Sequence, residues 1–180
     1  THSQDEALAL ADLIVVMKDG VIEQAGSPRA VFNAPRTAFV ARFIGGHNLF
    51  TGRVVAGDGE LASLEDAVGR RFRVRAGAVP VGRELAFALR ADHLELTHAA
   101  ALKVAVGAEG APEPPPVNTV DGTVTSVQYQ GTHVEVRLAA DGLEPVLVTV
   151  PEASFYAAPF APGAPARLAF DLAEAHVLHG

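Results

Sequence analysis

The sequence contains no cysteine, no tryptophan, one methionine and two tyrosines. Without cysteine there is no disulfide, no thiolate metal site and no cysteine nucleophile. Positive charge is also scarce, with Lys plus Arg at 14 against Asp plus Glu at 21 and a formal net charge of −7. That balance argues against a nucleic-acid partner held by phosphate neutralisation, and against binding to an anionic lipid surface. No apolar run reaches the roughly 20 residues that span a bilayer, so direct membrane insertion is not expected. The opening residues are polar and acidic, unlike a secretory signal. Thr1, rather than Met, comes first, which leads us to expect a reading frame that begins upstream.

What is present suits a folded, β-rich protein. Hydrophobic residues make up 49% and charged residues 19%, enough apolar content for a packed core. The 17 glycines and 12 prolines point to many turns between short strands. Residues 1–46 differ from the rest. Ser3 and Glu6 have capping-box spacing before a short helix. Leu13-Ile14-Val15-Val16-Met17 is a continuous apolar run, the pattern of a strand covered on both faces. The first 46 residues supply too little to cover it, so the cover is expected from an upstream domain or from another copy of the chain. Asp19-Gly20 turns the chain into a second strand over Val21–Ala25. Ser27-Pro28 reads as N-cap and first helical residue. A helix over Thr37–Ile44 places Phe39, Val40, Phe43 and Ile44 on one side, and Gly45-Gly46 ends it.

From residue 47 onward, alternation dominates. Leu85, Phe87 and Leu89 alternate with Ala86 and Ala88; Val134, Val136 and Leu138 alternate with His133, Glu135 and Arg137; Leu168, Phe170 and Leu172 alternate again. The pattern predicts a small barrel or sandwich. A proline-rich connector near 107–118 divides it in two. No tandem repeat between the two halves is apparent from the sequence.

Several residue groups together resemble a known family. Thr1-His2-Ser3-Gln4-Asp5-Glu6-Ala7-Leu8 resembles the switch-histidine loop of ABC-transporter ATPases and the helix after it. Ala11-Asp12 through Met17, with Gly20, Ile22, Gln24 and Gly26-Ser27-Pro28, resembles the continuation in importer ATPases. Phe39 to Gly45 with Asn48 resembles the junction into a C-terminal domain of the TOBE type, an OB-like β-module, whose opening strand Gly52 and Val54 match. Leu89-Arg90-Ala91-Asp92-His93-Leu94-Glu95-Leu96 is similar to the family's arginine-led segment. Val127 to Thr132 with Val134 to Leu138 is similar to a strand pair of the polyamine and ferric-iron branch. Ser3 and Ala91 depart from the common Asp and Pro.

The resemblance implies a mainly β fold, an OB-like TOBE barrel or sandwich over 47–180, preceded over 1–46 by a small α/β remnant of an ABC ATPase domain. It implies the C-terminal regulatory and dimerisation region of an importer's ATP-binding subunit. The partners would be a second copy and membrane permease subunits, and the location cytoplasmic, on the inner face of the membrane. In the intact parent, with ATP and Mg, the equivalent of His2 contacts the γ-phosphate, where an imidazole suits a charged phosphoryl oxygen. The chain has no Gly-x-x-x-x-Gly-Lys-Ser/Thr loop and no carboxylate to poise water, so alone it is expected to be inactive and to need no cofactor.

Asp5 and Glu6 form a carboxylate pair, but a helix cap explains them. Arg71, Arg73 and Arg75 share one face of a strand, either to hold an anion or to protect a solvated edge. His47 and Asn48 begin a stretch resembling the start of small oxyanion-binding domains, although Asn is also an ordinary turn residue. An oxyanion or transported-solute sensor is thus the alternative function. Tyr129, His133 and Tyr156 read as packing rather than as a stacking platform. His93, His98, His176 and His179 lack metal-ligand spacing.

Overall fold

Residues 4–98 and 118–179 are described by a computed structural model. Residues 1–3, 99–117 and 180 lie outside the described residues, and with them the capping box, the switch-histidine reading and all but the end of the proline-rich connector. Helix α1 (Gln4–Leu10) leads into an antiparallel hairpin of β1 (Ile14–Lys18) and β2 (Val21–Gly26). Asp19 and Gly20 both have positive φ at its turn, a conformation that Gly and Asp tolerate best. Helix α2 (Pro28–Asn33) is capped by Ser27, whose hydroxyl accepts from the Ala30 amide, and α3 (Ala38–Ile44) is capped in the same way by Thr37. Ile14, Val16, Val31, Val40 and Ile44 form a small core of their own. The buried residues of α3 are Val40, Ala41 and Ile44, while Phe39 and Phe43 stack on each other and Phe43 stays half exposed.

The apolar run at 13–17 is thus covered on one face only within the described residues. Val15, Met17 and Ile22 remain 44%, 55% and 58% exposed, so the opposite face of the hairpin is open.

The remaining strands form two five-stranded antiparallel sheets. Sheet I has the order β12-β6-β3-β4-β5, built from β3 (His47–Gly57), β4 (Leu61–Glu65), β5 (Arg71–Arg75), β6 (Glu84–Arg90) and β12 (His176–Val177). Sheet II has the order β10-β9-β8-β11-β7, built from β7 (Glu95–His98), β8 (Thr119–Tyr129), β9 (His133–Ala139), β10 (Val146–Pro151) and β11 (Pro165–Ala169). A short helix α4 (Glu152–Ala157) follows β10. Each sheet curls until its edge strands meet, β5 with β12 and β10 with β7. The architecture is mainly β and OB-like.

The two sheets are one design used twice, contrary to the expectation of no repeat. Each half runs long strand, hairpin, third strand, fourth strand, tight turn and short last strand. The last strands are exchanged: β7 of the first half pairs with β11, and β12 of the second pairs with β6. The correspondence extends to single residues. Asn48-Leu49-Phe50-Thr51-Gly52-Arg53-Val54 answers to Asn118-Thr119-Val120-Asp121-Gly122-Thr123-Val124. A β-bulge follows Val54 in one half and Val124 in the other. The Val54 amide donates to the Arg83 carbonyl at 2.8 Å, and the Val124 amide to the Ala164 carbonyl at 2.9 Å. The repeat escapes a sequence reading because the shared positions are few, spaced by alternation, and filled with different apolar residues. Phe50, for example, answers to Val120.

Both long strands serve two neighbours. β3 pairs first with β6 and then with β4, and β8 first with β11 and then with β9. The change of partner falls at Arg53 in one and Thr123 in the other, each immediately after a glycine, Gly52 and Gly122. A Cβ on Gly52 would lie 3.0 Å from the Leu64 Cβ, and one on Gly122 would lie 2.9 Å from the Leu138 Cγ. Glycine is needed there because the partner strand comes too close for a side chain. Alternate residues face a shared core, in which the rings of Phe50, Phe72, Phe87 and Phe170 lie 5.3 to 6.1 Å apart. Phe170 comes from the second half and the other three from the first, so neither half closes its core alone.

Candidate functional site

The sequence candidates occupy two seams and one rim. Asn48 is the second residue of β3 and is 8% exposed; Asn118 precedes β8 and is 2% exposed. The Leu147 amide donates to Asn48 Oδ1 at 2.7 Å, and Asn48 Nδ2 donates to the Leu147 carbonyl at 2.8 Å. In the other half the Arg73 amide donates to Asn118 Oδ1 at 2.7 Å, and Asn118 Nδ2 donates to the Arg73 carbonyl at 2.9 Å. Leu147 and Arg73 are equivalent positions on the edge strands β10 and β5. A carboxamide presents one acceptor and one donor side by side, as a peptide unit does. Each Asn therefore continues the edge strand of the opposite half, and satisfies backbone groups that are costly to leave unpaired when buried. Asn118 does this from the left-handed region, φ +70°, which Asn tolerates better than most residues. The expected connector reached this residue, yet it is the second copy of a fold-making position.

Arg71, Arg73 and Arg75 point outward from β5, with Phe72 and Val74 buried on the other side. Each arginine has a carboxylate: Arg71 with Glu65 at 3.1 Å, Arg73 with Asp58 at 3.8 Å and Arg75 with Glu60 at 3.0 Å. The arginine row lies along the Asn118 seam, whereas His47 and Asn48 lie at the Leu147 seam. The structure does not bring these groups into one site. Among the described residues no three His, Asp or Glu side chains converge as metal ligands.

The rim is formed where α2 and α3 meet the outer face of sheet I. Leu49 on β3, Ala86 and Ala88 on β6, and Leu178 after β12 make an apolar platform for Ala38 and Ala41 of α3. Small side chains let the helix approach the sheet closely. Around this platform stand polar contacts. Gln24, itself buried, accepts from the Arg36 amide at 2.8 Å and donates to the Ala34 carbonyl at 3.0 Å. Arg90 donates to Asn33 at 2.8 Å, makes two bonds to Asp92, and lies 5.1 Å over the Phe32 ring. The His179 amide donates to the Arg36 carbonyl at 2.7 Å.

Titration at this rim is shifted. Burial pushes His47 below its ordinary value, and the nearby Arg90 charge works in the same direction. Burial likewise lowers His176. For Asp92 burial acts upward, but the Arg90 hydrogen bond and charge outweigh it and hold the carboxyl below the usual range. In the sequence His47 stands out while His176 is one of four histidines without metal-ligand spacing; their shared face becomes visible only once β12 is seen to cross to β6.

The equivalent face of sheet II is different. Thr119 stands for Leu49, Arg167 for Ala86 and Thr97 for Leu178. Arg167 is locked to Asp121 by two bonds of 2.6 and 2.7 Å.

Comparison with known proteins adds a family. The family model described as the TOBE domain matches residues 87–178. The chain is 32% identical over 147 residues to a spermidine/putrescine import ATP-binding protein of Acetivibrio thermocellus, covering 82% of this chain and 36% of that protein. It is 37% identical to an Fe(3+) ions import ATP-binding protein of Rhizobium meliloti, covering 80% of this chain and 34% of that protein. The chain thus spans about a third of the length of the curated relatives it matches. Among solved structures, the cytoplasmic molybdate-binding protein ModG, with molybdate bound, superposes with a TM-score of 0.61 at 17% identity, over 74% of this chain and 96% of that one. That likeness is one of fold.

Proposed function

This chain belongs to the TOBE domain family, and from that premise we propose that it is the C-terminal regulatory and dimerisation region of the ATP-binding subunit of an importer. The supporting observation is the similarity to importer ATP-binding proteins, which runs over 82% of the chain and so takes in the segment before the TOBE match as well. In this reading residues 1–46 end the nucleotide-binding domain and 47–180 are the regulatory module. His2 belongs to the ATP site of the intact parent, which uses ATP and Mg and works with permease subunits on the inner face of the membrane. The chain by itself is not catalytic. Reading the parent frame upstream of Thr1 tests this. A phosphate-binding Gly-x-x-x-x-Gly-Lys-Ser/Thr loop followed by a Leu-Ser-Gly-Gly signature is expected, and a frame without them would overturn the proposal. Light scattering tests the dimer, and a strictly monomeric species at micromolar concentration would contradict it.

A second reading, a sensor for an oxyanion or for the transported solute, is supported by the fold likeness to a molybdate-binding protein. Its candidate residues are His47, Asn48, Arg71, Arg73 and Arg75. Since the arginines already have carboxylate partners, an anion would have to displace these ion pairs. Calorimetric titration with molybdate, spermidine and a ferric chelate separates the readings. Heat with saturation favours the sensor; silence with all three removes it.

A further inference from the structure

We propose that protonation of His47 and His176 releases residues 28–44 from the outer face of sheet I, making this junction a pH-sensitive latch. His47 lies opposite Arg90 in the β3–β6 ladder, and His176 lies opposite Ala88 in the β12–β6 ladder. Residues 88 and 90 share one face of β6, so both histidines stand on the face that receives α3. Both also touch the docked segment. The His47 ring meets Phe32 edge-on at 5.1 Å between centroids, and its Nδ1 is 2.8 Å from the Gly45 carbonyl. His176 faces the Pro35 carbonyl.

The neutral form fits this place. With Nδ1 donating to Gly45, the proton of a charged ring would be added at Nε2, which is buried and makes no hydrogen bond of ordinary geometry. The charged and titratable groups facing the rings are Arg90 on β6, Asp92 in the turn after it, and His179 beyond β12. Arg90 and His179 oppose a new positive charge. Asp92 favours one, but both its oxygens are already held by Arg90. The carbonyls of Gly45, Phe32 and Pro35 favour the charged rings and are outweighed by burial.

The direction follows from linkage. A histidine whose docked value lies below its ordinary value of about 6.5 takes up its proton first in the undocked state. Docking is therefore undiminished above that pH and weakens as pH falls from there through the depressed docked values. The consequence is a contact between the two parts of the chain that loosens on acidification while the barrels stay closed.

Hydrogen exchange on the whole chain tests this, at about pH 7.5 and about pH 5.5 with intrinsic rates corrected. Opening at the amides of Ala41, Ile44 and His179 is expected to rise several-fold at the lower pH, with a ceiling of about tenfold for each ring that stays neutral while docked, because an undocked ring gains about a factor of ten in protonation per pH unit below about 6.5. The β9 amides of Val134 to Leu138 should not change. In the double variant His47→Gln/His176→Gln the pH difference at these three amides should vanish. Equal opening at both pH values in the unmodified chain, or a pH effect that persists in a folded double variant, overturns the proposal. Should the variant lose β9 protection, proton titration of the two rings in the unmodified chain decides. Midpoints below about 6.5 for both support the latch, and a midpoint at or above that value for either overturns it.

Discussion

His93 and Glu174 hold the same place in the two halves of the fold, and they touch, Nδ1 against Oε2. Each is the last residue of the turn that follows the fourth strand of its half, just before a buried apolar residue, Leu94 in one and Ala175 in the other. A residue in contact with its own counterpart lies on the axis that relates the copies. On this axis the exchanged strands β7 and β12 begin, and the Asn48 and Asn118 seams are related by the same rotation. The β-region from residue 47 onward is thus a two-fold object made from one polypeptide.

Replacing either asparagine should destabilise the β-region without changing its fold. Asn48→Ala leaves the Leu147 amide and carbonyl unpaired at a buried seam, a loss of about 1–3 kcal/mol. Asn118→Ala makes the same loss at Arg73 and adds about 1 kcal/mol for an alanine in the left-handed region. Urea denaturation should therefore rank Asn118→Ala as the more damaging. The reverse order would refute the role assigned to the Asn118 backbone.

Gly52 and Gly122 give a second ranking. An alanine at position 52 needs only small shifts around Leu64, whereas one at position 122 presses on the Leu138 side chain and the Ala139 carbonyl. Overpacking of this kind costs about 1–3 kcal/mol. Gly122→Ala should lie at or beyond the upper end and Gly52→Ala at the lower. Thermal melts of the two variants check this, and equal losses would mean that β8 can flatten where β3 can.

The helix platform can be disturbed separately. Ala41 is fully buried between Ala88 and Leu178. Ala41→Leu should push α3 off sheet I at a cost of about 1–3 kcal/mol, while the phenylalanine core stays intact. Limited proteolysis should then cut between α2 and β3 and leave the barrels whole. Uncut chain under conditions that cleave an unfolded control would contradict this.

Arg167 and Asp121 predict a small acid limb. The Arg167 hydrogen bond holds the Asp121 carboxyl below its ordinary range. A lowered carboxyl contributes stability above its ordinary pKa and loses it as pH falls through the lowered value. The pair is surface-exposed at Asp121, so the contribution stays below about 1 kcal/mol. Asp121→Asn should be less stable than the parent near neutrality and equal to it once the carboxylate is protonated. Urea midpoints followed across acidic pH give the comparison.

Much of this architecture is legible in the sequence, because it rests on local rules. Ser27-Pro28 caps a helix as its type suggests, a helix runs to Ile44 with Thr37 as its cap rather than its first turn, Asp19-Gly20 turns a hairpin, and the arginine row of β5 alternates with buried Phe72 and Val74. What escapes is non-local. Asn48 and Asn118 look like turn residues until their partners across the seams are known. His176 looks like a terminal histidine until β12 is found beside β6. The exposed face of the β1–β2 hairpin could be foreseen from a run too apolar for its surroundings, since both faces of that strand carry apolar side chains.

The contrast between the two sheet faces bears on how many chains can join. Leu49, Ala86 and Leu178 accept α3 on sheet I, while Thr119, Arg167 and Thr97 occupy the same positions on sheet II. Had sheet II kept the apolar set, every chain would offer a vacant acceptor on one surface and a helix on another. Donor and acceptor on different surfaces repeat without closing, the geometry of a fibre rather than of a ring or pair. The Arg167–Asp121 bridge occupies that place on sheet II, so the duplicated scaffold has one helix-accepting face and not two.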